Sequence, residues 1–160
     1  MRLTLAAVGR LKSGPEARLV DDYAARIRAA GRGLGVSDFA IAEVEAPKGL
    51  EGPARRAREG AALLAAAPDK ARKIVFDERG RSLSSEEFAR VIADWRDQGV
   101  GEIAFFIGGA DGHDAALRES ADLMVSFGKA TWPHMLVRAM LCEQVYRAMT
   151  ILSGHPYHRA

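Results

Sequence analysis

Short apolar runs alternate with longer amphipathic segments along the 160 residues of the chain. A short continuous apolar run is typical of a buried strand, whereas apolar residues three or four positions apart are typical of a helix. The pattern predicts strands at residues 2–9, 38–46, 73–77, 102–109 and 122–128. It predicts helices at residues 13–31, 53–67, 84–98 and 114–121, and a last helix from residue 131 or 132 to about residue 152.

Three of the predicted helices carry end signals. Ser13 stands three residues before Glu16, and Ser84 stands three residues before Glu87, so each pair predicts a capping box at a helix start. Gly154 follows the last helix and is well placed to end it in a left-handed conformation.

This order of elements predicts an α/β fold with a mainly parallel sheet flanked by helices. No repeat, low-complexity segment or linker divides the chain, so we expect residues 1–160 to form a single domain. Ligands of such sheets bind beyond the carboxyl ends of the strands. The turns after Phe76, Ile107 and Phe127 are therefore the first candidates for a site.

Composition limits the class of protein. Hydrophobic residues make up 48% of the chain and charged residues 28%, which is typical of a globular domain. No apolar run approaches the ~18 residues of a membrane-spanning helix. The opening "MRLTLAAVGRLK" is too short and too strand-like for a signal peptide. Cys142 is the single cysteine, which excludes an internal disulfide and a cysteine-based zinc site, so we expect a cytoplasmic protein.

The net charge of +2 conceals an uneven distribution. Residues 1–37 carry seven basic side chains against three acidic ones, and residues 129–160 carry four against one. Residues 38–128 carry twelve basic against seventeen acidic side chains. If the two ends meet in space, they form a positive surface suited to phosphates. The alternative is an ordinary solvated surface whose signs fall unevenly.

The second and third turns carry further signals of a binding site. In "FFIGGADGHD", Gly108 and Gly109 follow a buried strand and would let a ligand lie against the backbone. The spacing differs from a dinucleotide fingerprint, and a simple tight turn is the alternative. In "SFGKATWPH", Thr131 can cap the next helix and Pro133 suits its first turn. Its backbone groups could read the edge of a flat ring such as adenine, or it is an ordinary loop.

The chain ends in "ILSGHPYHRA". Its histidines could bind a metal, although two histidines without a nearby carboxylate make a weak site. They could be ordinary surface residues. Alternatively, a rigid turn delivers a proton-transferring group, a stacking ring and a phosphate-binding guanidinium into a site. These tail residues are His155, Tyr157, His158 and Arg159.

Helix residues near the tail have similar alternatives. Glu143 and Arg147 stand four apart, which is typical of a surface ion pair, but Arg138, Arg147 and Arg159 could also hold phosphates. An apolar stripe along the last helix predicts core packing or a subunit interface. The stripe consists of Val137, Leu141, Val145, Ala148 and Leu152.

Three segments together resemble one family: "RLTLAAVGRLK", "IGGADG" and "TWPHMLVRAMLCEQVYRAMTILSGHPYH". They look like the RlmH-type ribosomal RNA methyltransferases, small members of the SPOUT class, and the resemblance runs along the whole chain. The ending "EQVYRAMTILSGHPYH" is its most specific part. Trp132, Met135 and Phe76 depart mildly from the familiar pattern.

The resemblance implies a C-terminal trefoil knot, a homodimer and S-adenosylmethionine as the cofactor. It implies methylation of N(3) of a pseudouridine in 23S ribosomal RNA, on the assembled ribosome, with no metal and no membrane. The implied cofactor residues are Phe76, Gly108, Gly109, Phe127, Gly128, Lys129, Ala130, Thr131, Trp132 and Pro133. The implied catalytic residues are His155, Tyr157, His158 and Arg159 of the tail, together with Arg147.

N(3) of pseudouridine carries a hydrogen, so methylation needs a proton acceptor. His158 is the first candidate and His134 the second. Two other classes of protein remain as alternatives. One is a non-catalytic nucleotide- or RNA-binding module, and the other is a Rossmann-type oxidoreductase. The oxidoreductase is disfavoured because "VGRLKSG", after the first strand, lacks the glycine fingerprint.

Overall fold

The alternation of strands and helices is present in a computed structural model of the chain, which describes residues 1–45 and 47–158. The strands are β1 (Arg2–Val8), β2 (Asp38–Val44), β3 (Arg72–Arg81), β4 (Glu102–Ile107) and β5 (Leu123–Val125). The helices are α1 (Pro15–Gly31), α2 (Gly52–Ala65), α3 (Ser85–Asp97), α4 (Ala115–Glu119) and α5 (His134–Ser153), with a 3₁₀ turn at Arg32–Leu34.

The five strands form one sheet in the order β2-β1-β4-β3-β5, and every pairing is parallel. Strands β1 and β4 lie at its centre and are buried along almost their whole length. Such continuous burial is expected where helices cover both faces of a parallel sheet. The predicted α/β class is therefore confirmed.

Alternate residues of the strands pack against different helical layers. Leu5 and Phe105 belong to a core shared with α1, α3 and α5. Ala6 and Phe106 face the opposite layer, where they pack with Leu63 of α2 and with α4. The carboxyl ends of β1, β4, β3 and β5 consequently open on one edge between the two layers.

The predicted helix ends were right in some places and wrong in others. The Ser84 box is present, with the Glu87 amide donating to Ser84 Oγ at 3.2 Å and the Ser84 amide donating to Glu87 Oε2 at 2.7 Å. Gly154 ends α5 at a φ of 70°. The Ser13 prediction is wrong, because α1 starts at Pro15 after Gly14, whose position lacks a side-chain cap. Pro15 supplies a preset φ at the first turn instead.

Strand β3 runs four residues beyond the predicted end at residue 77. The extension crosses the carboxyl end of β5, where Arg81 pairs with Val125. Gly80 makes this possible, since a Cβ at that position would lie 2.5 Å from the Val125 carbonyl carbon. A short apolar run gave no sign of this extension, because its residues are mostly polar.

Helix α5 begins later than predicted. It starts at His134, after Pro133, and no side chain caps it, so Thr131 does not have the predicted capping role. The predicted apolar stripe is used inside the chain: Leu141, Val145 and Ala148 are fully buried in the core. Helix α1 packs on α5, which brings the two basic ends of the chain together.

Candidate functional site

The three turns chosen from the sequence meet around one cavity of about 700 Å³ at the carboxyl edge of β3, β4 and β5. A space of this size is typical of a cavity for a small organic ligand. Eight of the ten predicted cofactor residues line it: Phe76, Gly108, Gly109, Phe127, Gly128, Ala130, Thr131 and Trp132. Lys129 and Pro133 are exposed and do not line the cavity.

Two aromatic rings form one wall of the cavity. Phe76 ends the buried part of β3, and Phe127 follows β5. Their ring centroids lie 5.1 Å apart with an angle of 26° between the planes, a stacked arrangement. Ile107 and Val125 extend the apolar surface. A flat, apolar ring system matches this wall.

His113 connects the first two turns. It is buried, and its Nε2 lies 3.0 Å from the Phe76 carbonyl oxygen, to which it donates as the neutral ring. Burial lowers the pKa of His113 below its ordinary value, more strongly than the Phe76 carbonyl raises it. A Cβ at Gly108 would lie 3.0 Å from the ring. A larger residue at position 108 would therefore displace the His113 ring.

Glu59 stands behind the second turn, and the sequence analysis missed it. Its carboxylate is 1% exposed, and Arg55 Nε donates to its Oε1 at 3.0 Å. Its Oε2 has no hydrogen-bond partner among residues 1–45 and 47–158. A Cβ at Gly109 would lie 2.9 Å from that Oε2. Gly109 thus makes room for a buried carboxylate, whereas the sequence suggested only room for a ligand.

Nothing in the sequence distinguishes Glu59 from the other charged residues of α2. It occupies a place in "PARRAREGAALL" that is equally suited to a solvated surface position. The informative neighbour is Gly60, which lets α2 approach α4: a Cβ there would collide with the Asp114 carboxylate. The close contacts of Gly60 and Gly109 join residues that are distant in sequence, so the spacing of residues along the chain does not predict them.

The third turn is closed by its own hydrogen bonds. Gly128 has a φ of 98° and donates its amide to Ser126 Oγ at 3.1 Å. Trp132 Nε1 donates to the Phe127 carbonyl at 3.3 Å, while 43% of the Trp132 surface stays exposed. These hydrogen bonds fix the shape of the turn and leave the indole as an accessible apolar surface at the cavity mouth.

His134 lies on the cavity wall at the first position of α5. Burial and the nearby Arg138 guanidinium lower its pKa below the ordinary value. The ring is consequently neutral near neutral pH and able to accept a proton.

The polar part of the cavity carries both signs of charge. The acidic side chains are Asp77, Glu78, Asp111 and Asp114, and the basic ones are Arg56, Arg79 and Arg118. A ligand with a cationic centre and a carboxylate finds complementary groups for both.

The tail lies away from this cavity within the same chain. Tyr157 packs edge-on against Tyr146, with ring centroids 4.9 Å apart, and donates its hydroxyl to Glu143 Oε1 at 3.1 Å. The guanidinium of Arg147 lies 4.9 Å from the centre of the Tyr157 ring. Burial, followed by hydrogen bonds with Tyr23 and Glu143, raises the pKa of Tyr157. The phenol is thus held in its protonated form.

His158 is tied to α3 rather than to the cavity. Its Nε2 lies 2.7 Å from Glu86 Oε1, and its Nδ1 lies 3.3 Å from Arg147 Nη1. Hydrogen bonds from the Glu86 backbone amide, from Ser84 and from His158 lower the pKa of Glu86 to about 2. His155 is exposed and accepts from the Tyr157 amide at 3.2 Å. Arg159 lies outside the described residues.

Arg147 makes the surface ion pair that the spacing predicted. Its Nη2 lies 2.5 Å and its Nε 2.9 Å from Glu143 Oε1. Hydrogen bonding to Glu143 raises the pKa of Arg147 further. Arg147 and the tail thus form one cluster, and the cavity residues form a second, separate cluster in the same chain.

The described part of the chain holds neither a cluster of metal ligands nor a membrane-spanning helix. Over residues 1–45 and 47–158, no three His, Cys, Asp or Glu side chains come together as metal ligands. Within the same residues, none of the helices combines the length and apolarity that crossing a bilayer requires.

Comparison with known proteins gives a match over nearly the whole chain. The family model described as "Predicted SPOUT methyltransferase" matches residues 1–158. The chain is 55% identical over 159 residues to a protein of Paracoccus denitrificans, covering 99% of both. It is 56% identical over 160 residues to one of Xanthobacter autotrophicus, covering 100% of both. Both relatives are named Ribosomal RNA large subunit methyltransferase H.

Two solved structures share the fold at low sequence identity. A probable methylase family protein of Haemophilus influenzae superposes with a TM-score of 0.52 at 13% identity, covering 99% of this chain and 70% of that one. A probable methyltransferase of Bordetella pertussis gives a TM-score of 0.50 at 14% identity, with coverage of 92% and 95%. At these identities the likeness supports the fold alone.

Proposed function

Since the chain belongs to the SPOUT methyltransferase family, we propose that it methylates N(3) of a pseudouridine in 23S ribosomal RNA, using S-adenosylmethionine. The observation that carries this proposal is the full-length identity above 50% to proteins named Ribosomal RNA large subunit methyltransferase H. The cavity where the three turns meet supports it independently, because these turns are where the family resemblance locates the cofactor.

The cavity fits the proposed cofactor. Phe76 and Phe127 offer an apolar wall to the adenine, and the backbone of residues 127–132 offers polar groups to its edge. Acidic groups such as Asp77 and Asp111 complement a sulfonium and an ammonium group. When bound, S-adenosylmethionine supplies an electrophilic methyl group on sulfur.

The protein's own contribution is to orient the nucleobase and to take a proton from N(3). The position of His134 on the cavity wall, together with its lowered pKa, supports it as the acceptor. The sequence had favoured His158. That residue packs against Glu86 in its own chain, so we assign the tail to a second task, the binding of RNA.

A homodimer would bring tail and cavity together. Beside the third turn lies a groove of about 600 Å³ between α1 and α5, lined by Leu19, Leu136 and Met140 among others. Leu19 is 43% exposed and extends the apolar lining of this groove to the surface. Phe127 and Gly128 line both this groove and the cavity. A second copy seated here would place its tail near the first copy's third turn.

The knot and the cellular context complete the proposal. The close crossing of Gly80 over Val125 supports a trefoil knot in which the chain after β5 passes through the segment after β3. We propose the assembled ribosome in the cytoplasm as the substrate. A net charge of +2 is too small for tight non-specific binding of RNA, so shape and context have to contribute.

Calorimetry tests the cofactor assignment. We expect S-adenosylmethionine to bind at one molecule per chain and NAD not to bind. Ala130→Trp, which fills the cavity from an exposed turn, should abolish binding. Lys129→Trp, in the same turn but off the cavity wall, is the matched control and should retain it. Binding of NAD alone, or equal binding to both variants, would contradict the proposal.

A further inference from the structure

A second depression lies along the same edge of the sheet as the cavity. It measures about 950 Å³ and is formed by the turn after β1, the turn after β2 and one side of α2. Four cationic side chains line it, against one carboxylate, Glu45. The four are Arg10, Lys12, Lys48 and Arg58, and we call this depression the basic groove.

The positive charge of the basic groove is largely uncompensated. Arg10 lies 3.7 Å from Glu45, but both side chains are more than two-thirds exposed, so the pair contributes little. Within residues 1–45 and 47–158, Lys12, Lys48 and Arg58 form no ion pair. All four cations are exposed to solvent. The basic groove therefore presents a concentrated positive potential to a ligand.

The turn that carries Arg10 and Lys12 is held in place from below. Arg138 of α5 is 1% exposed and donates Nη2 to the carbonyls of Val8 and Gly9, the latter at 2.8 Å. Its Nη1 donates to Glu43 Oε1 at 3.1 Å. A buried guanidinium with these partners fixes the course of the turn, so its two cations are preorganised.

Glu43 completes that support. The same Oε1 accepts the Leu11 amide at 2.8 Å, and the Gly9 amide donates to the Val44 carbonyl at 2.7 Å. His134 lines the cavity, and Arg138 lies one helical turn further along α5. One helix thus supports both the cavity wall and the basic groove.

Helix α2 lies between the two depressions and contributes arginines to each. Arg56 lines the cavity and Arg58 lines the basic groove. Ala61, Ala62 and Ala65 form the rest of the α2 side of the groove, and their small side chains leave room above them. A polyanion with one unit in the cavity would meet Arg56, then Arg58, then the cations of the groove.

We propose that the basic groove binds the phosphodiester backbone of the RNA that flanks the target nucleotide. This inference rests on the proposed function, since it takes the methyl acceptor in the cavity to be part of an RNA strand. Lysine and arginine in an open groove hold phosphates without reading sequence. The basic groove therefore sets affinity and register, and the cavity performs the chemistry.

Steady-state methylation of ribosomes tests the inference with a charge-matched pair of variants. Lys12→Ala/Arg58→Ala removes two cations from the groove. Arg32→Ala/Lys70→Ala removes two exposed cations near the amino ends of β2 and β3, on the opposite edge of the sheet. Both variants should bind S-adenosylmethionine as the wild type does.

For the groove variant, we expect KM for ribosomes to rise about tenfold with kcat unchanged. The slope of log kcat/KM against log salt should become shallower by roughly 1.4–1.8 units, because about two phosphate contacts are lost. The control variant should match the wild type in both. Fluorescence anisotropy with a short labelled RNA stem-loop should show the same loss of affinity in the groove variant only.

Each other outcome is decisive. If wild type and control methylate ribosomes and the groove variant matches them, the groove inference is overturned while the proposed function stands. If the groove variant loses affinity for ribosomes but binds the free stem-loop normally, the groove contacts a ribosomal protein and the inference is wrong. If the wild type itself fails to methylate ribosomes, the proposed function fails first.

Discussion

Individual glycines show how closely the cavity is built. Gly108 has no Cβ to crowd the His113 ring, and Gly109 has none to crowd the Glu59 carboxylate. Each is a place where a ligand-binding turn is shaped by a buried polar group behind it. The sequence located these glycines correctly at a strand end, but their buried partners come from α2 and from the turn itself. Contacts of that kind are set by the packing of distant elements, and residue spacing does not contain them.

Gly109→Ala should weaken cofactor binding through Glu59. The new Cβ would lie 2.9 Å from Glu59 Oε2, so the turn has to shift, at a cost of about 1–3 kcal/mol. Calorimetry with S-adenosylmethionine should show affinity lowered by about tenfold or more. Glu59→Ala in the same chain removes the obstacle and should restore part of the affinity. A double variant no better than Gly109→Ala would show that Glu59 is not the cause.

Stability should fall with acid through His113. Burial lowers its pKa in the folded chain, so the unfolded chain binds more protons once the pH drops below about 6.5. Stability from the neutral ring is present above that pH and is lost below it. Between about pH 7.5 and pH 5.5 we therefore expect the melting temperature to fall. His134, whose pKa is also lowered by burial, adds to the same trend.

His113→Gln is the control for this pH dependence. Glutamine keeps a donor for the Phe76 carbonyl but does not titrate in this range. Its melting temperature should therefore depend less on pH than that of the wild type, with only the contribution of His134 remaining. If the melting temperatures of both proteins fall equally with acid, His113 does not cause the pH dependence.

At the scale of whole elements, the sequence was informative about strands and weak at their ends. All five strands and all five helices were predicted, because apolar runs and amphipathic spacing follow directly from burial. The polar extension of β3 and the late start of α5 were missed. Both depend on a neighbour, Val125 for the first and the proline-bounded third turn for the second. The placement of the tail was also beyond prediction, since it rests on contacts with α1 and α3.

Removing the tail after Gly154 should separate the binding of the cofactor from methyl transfer to RNA. The cavity residues lie upstream, so the affinity for S-adenosylmethionine should change by less than about threefold. Methyl transfer should fall by about two orders of magnitude or more, because Tyr157 and His158, which we assign to RNA binding, are lost together. Loss of the Tyr157 packing on Tyr146 should also lower the melting temperature. If the folded fraction of the truncated protein methylates at the wild-type rate, the tail has only a structural role.

At the scale of the whole molecule, the proposed homodimer would bring the tail of one chain to the cavity of another. The cavity and the described part of the tail are separate within one chain, and the groove between α1 and α5 lies between them. The apolar stripe of α5, which the sequence predicted as core or as a subunit interface, packs in the core of its own chain. The exposed face with Leu19 is an apolar surface beside these two helices, and we propose it as the interface instead.

Mixing two inactive variants tests the shared site. Ala130→Trp lacks a usable cavity but keeps its tail, whereas the chain truncated after Gly154 lacks the tail but keeps its cavity. Random pairing should give heterodimers with one complete site, and so roughly a quarter of wild-type activity. Mixing should restore nothing if each cavity uses the tail of its own chain.

The most direct measurement is mass spectrometry of 23S ribosomal RNA after incubation of assembled ribosomes with the protein and S-adenosylmethionine carrying a deuterated methyl group. We expect one labelled methyl group per 23S RNA, on N(3) of a pseudouridine, and none from the Ala130→Trp variant. A label on another base or another RNA, or no label from a protein that binds the cofactor, would contradict it.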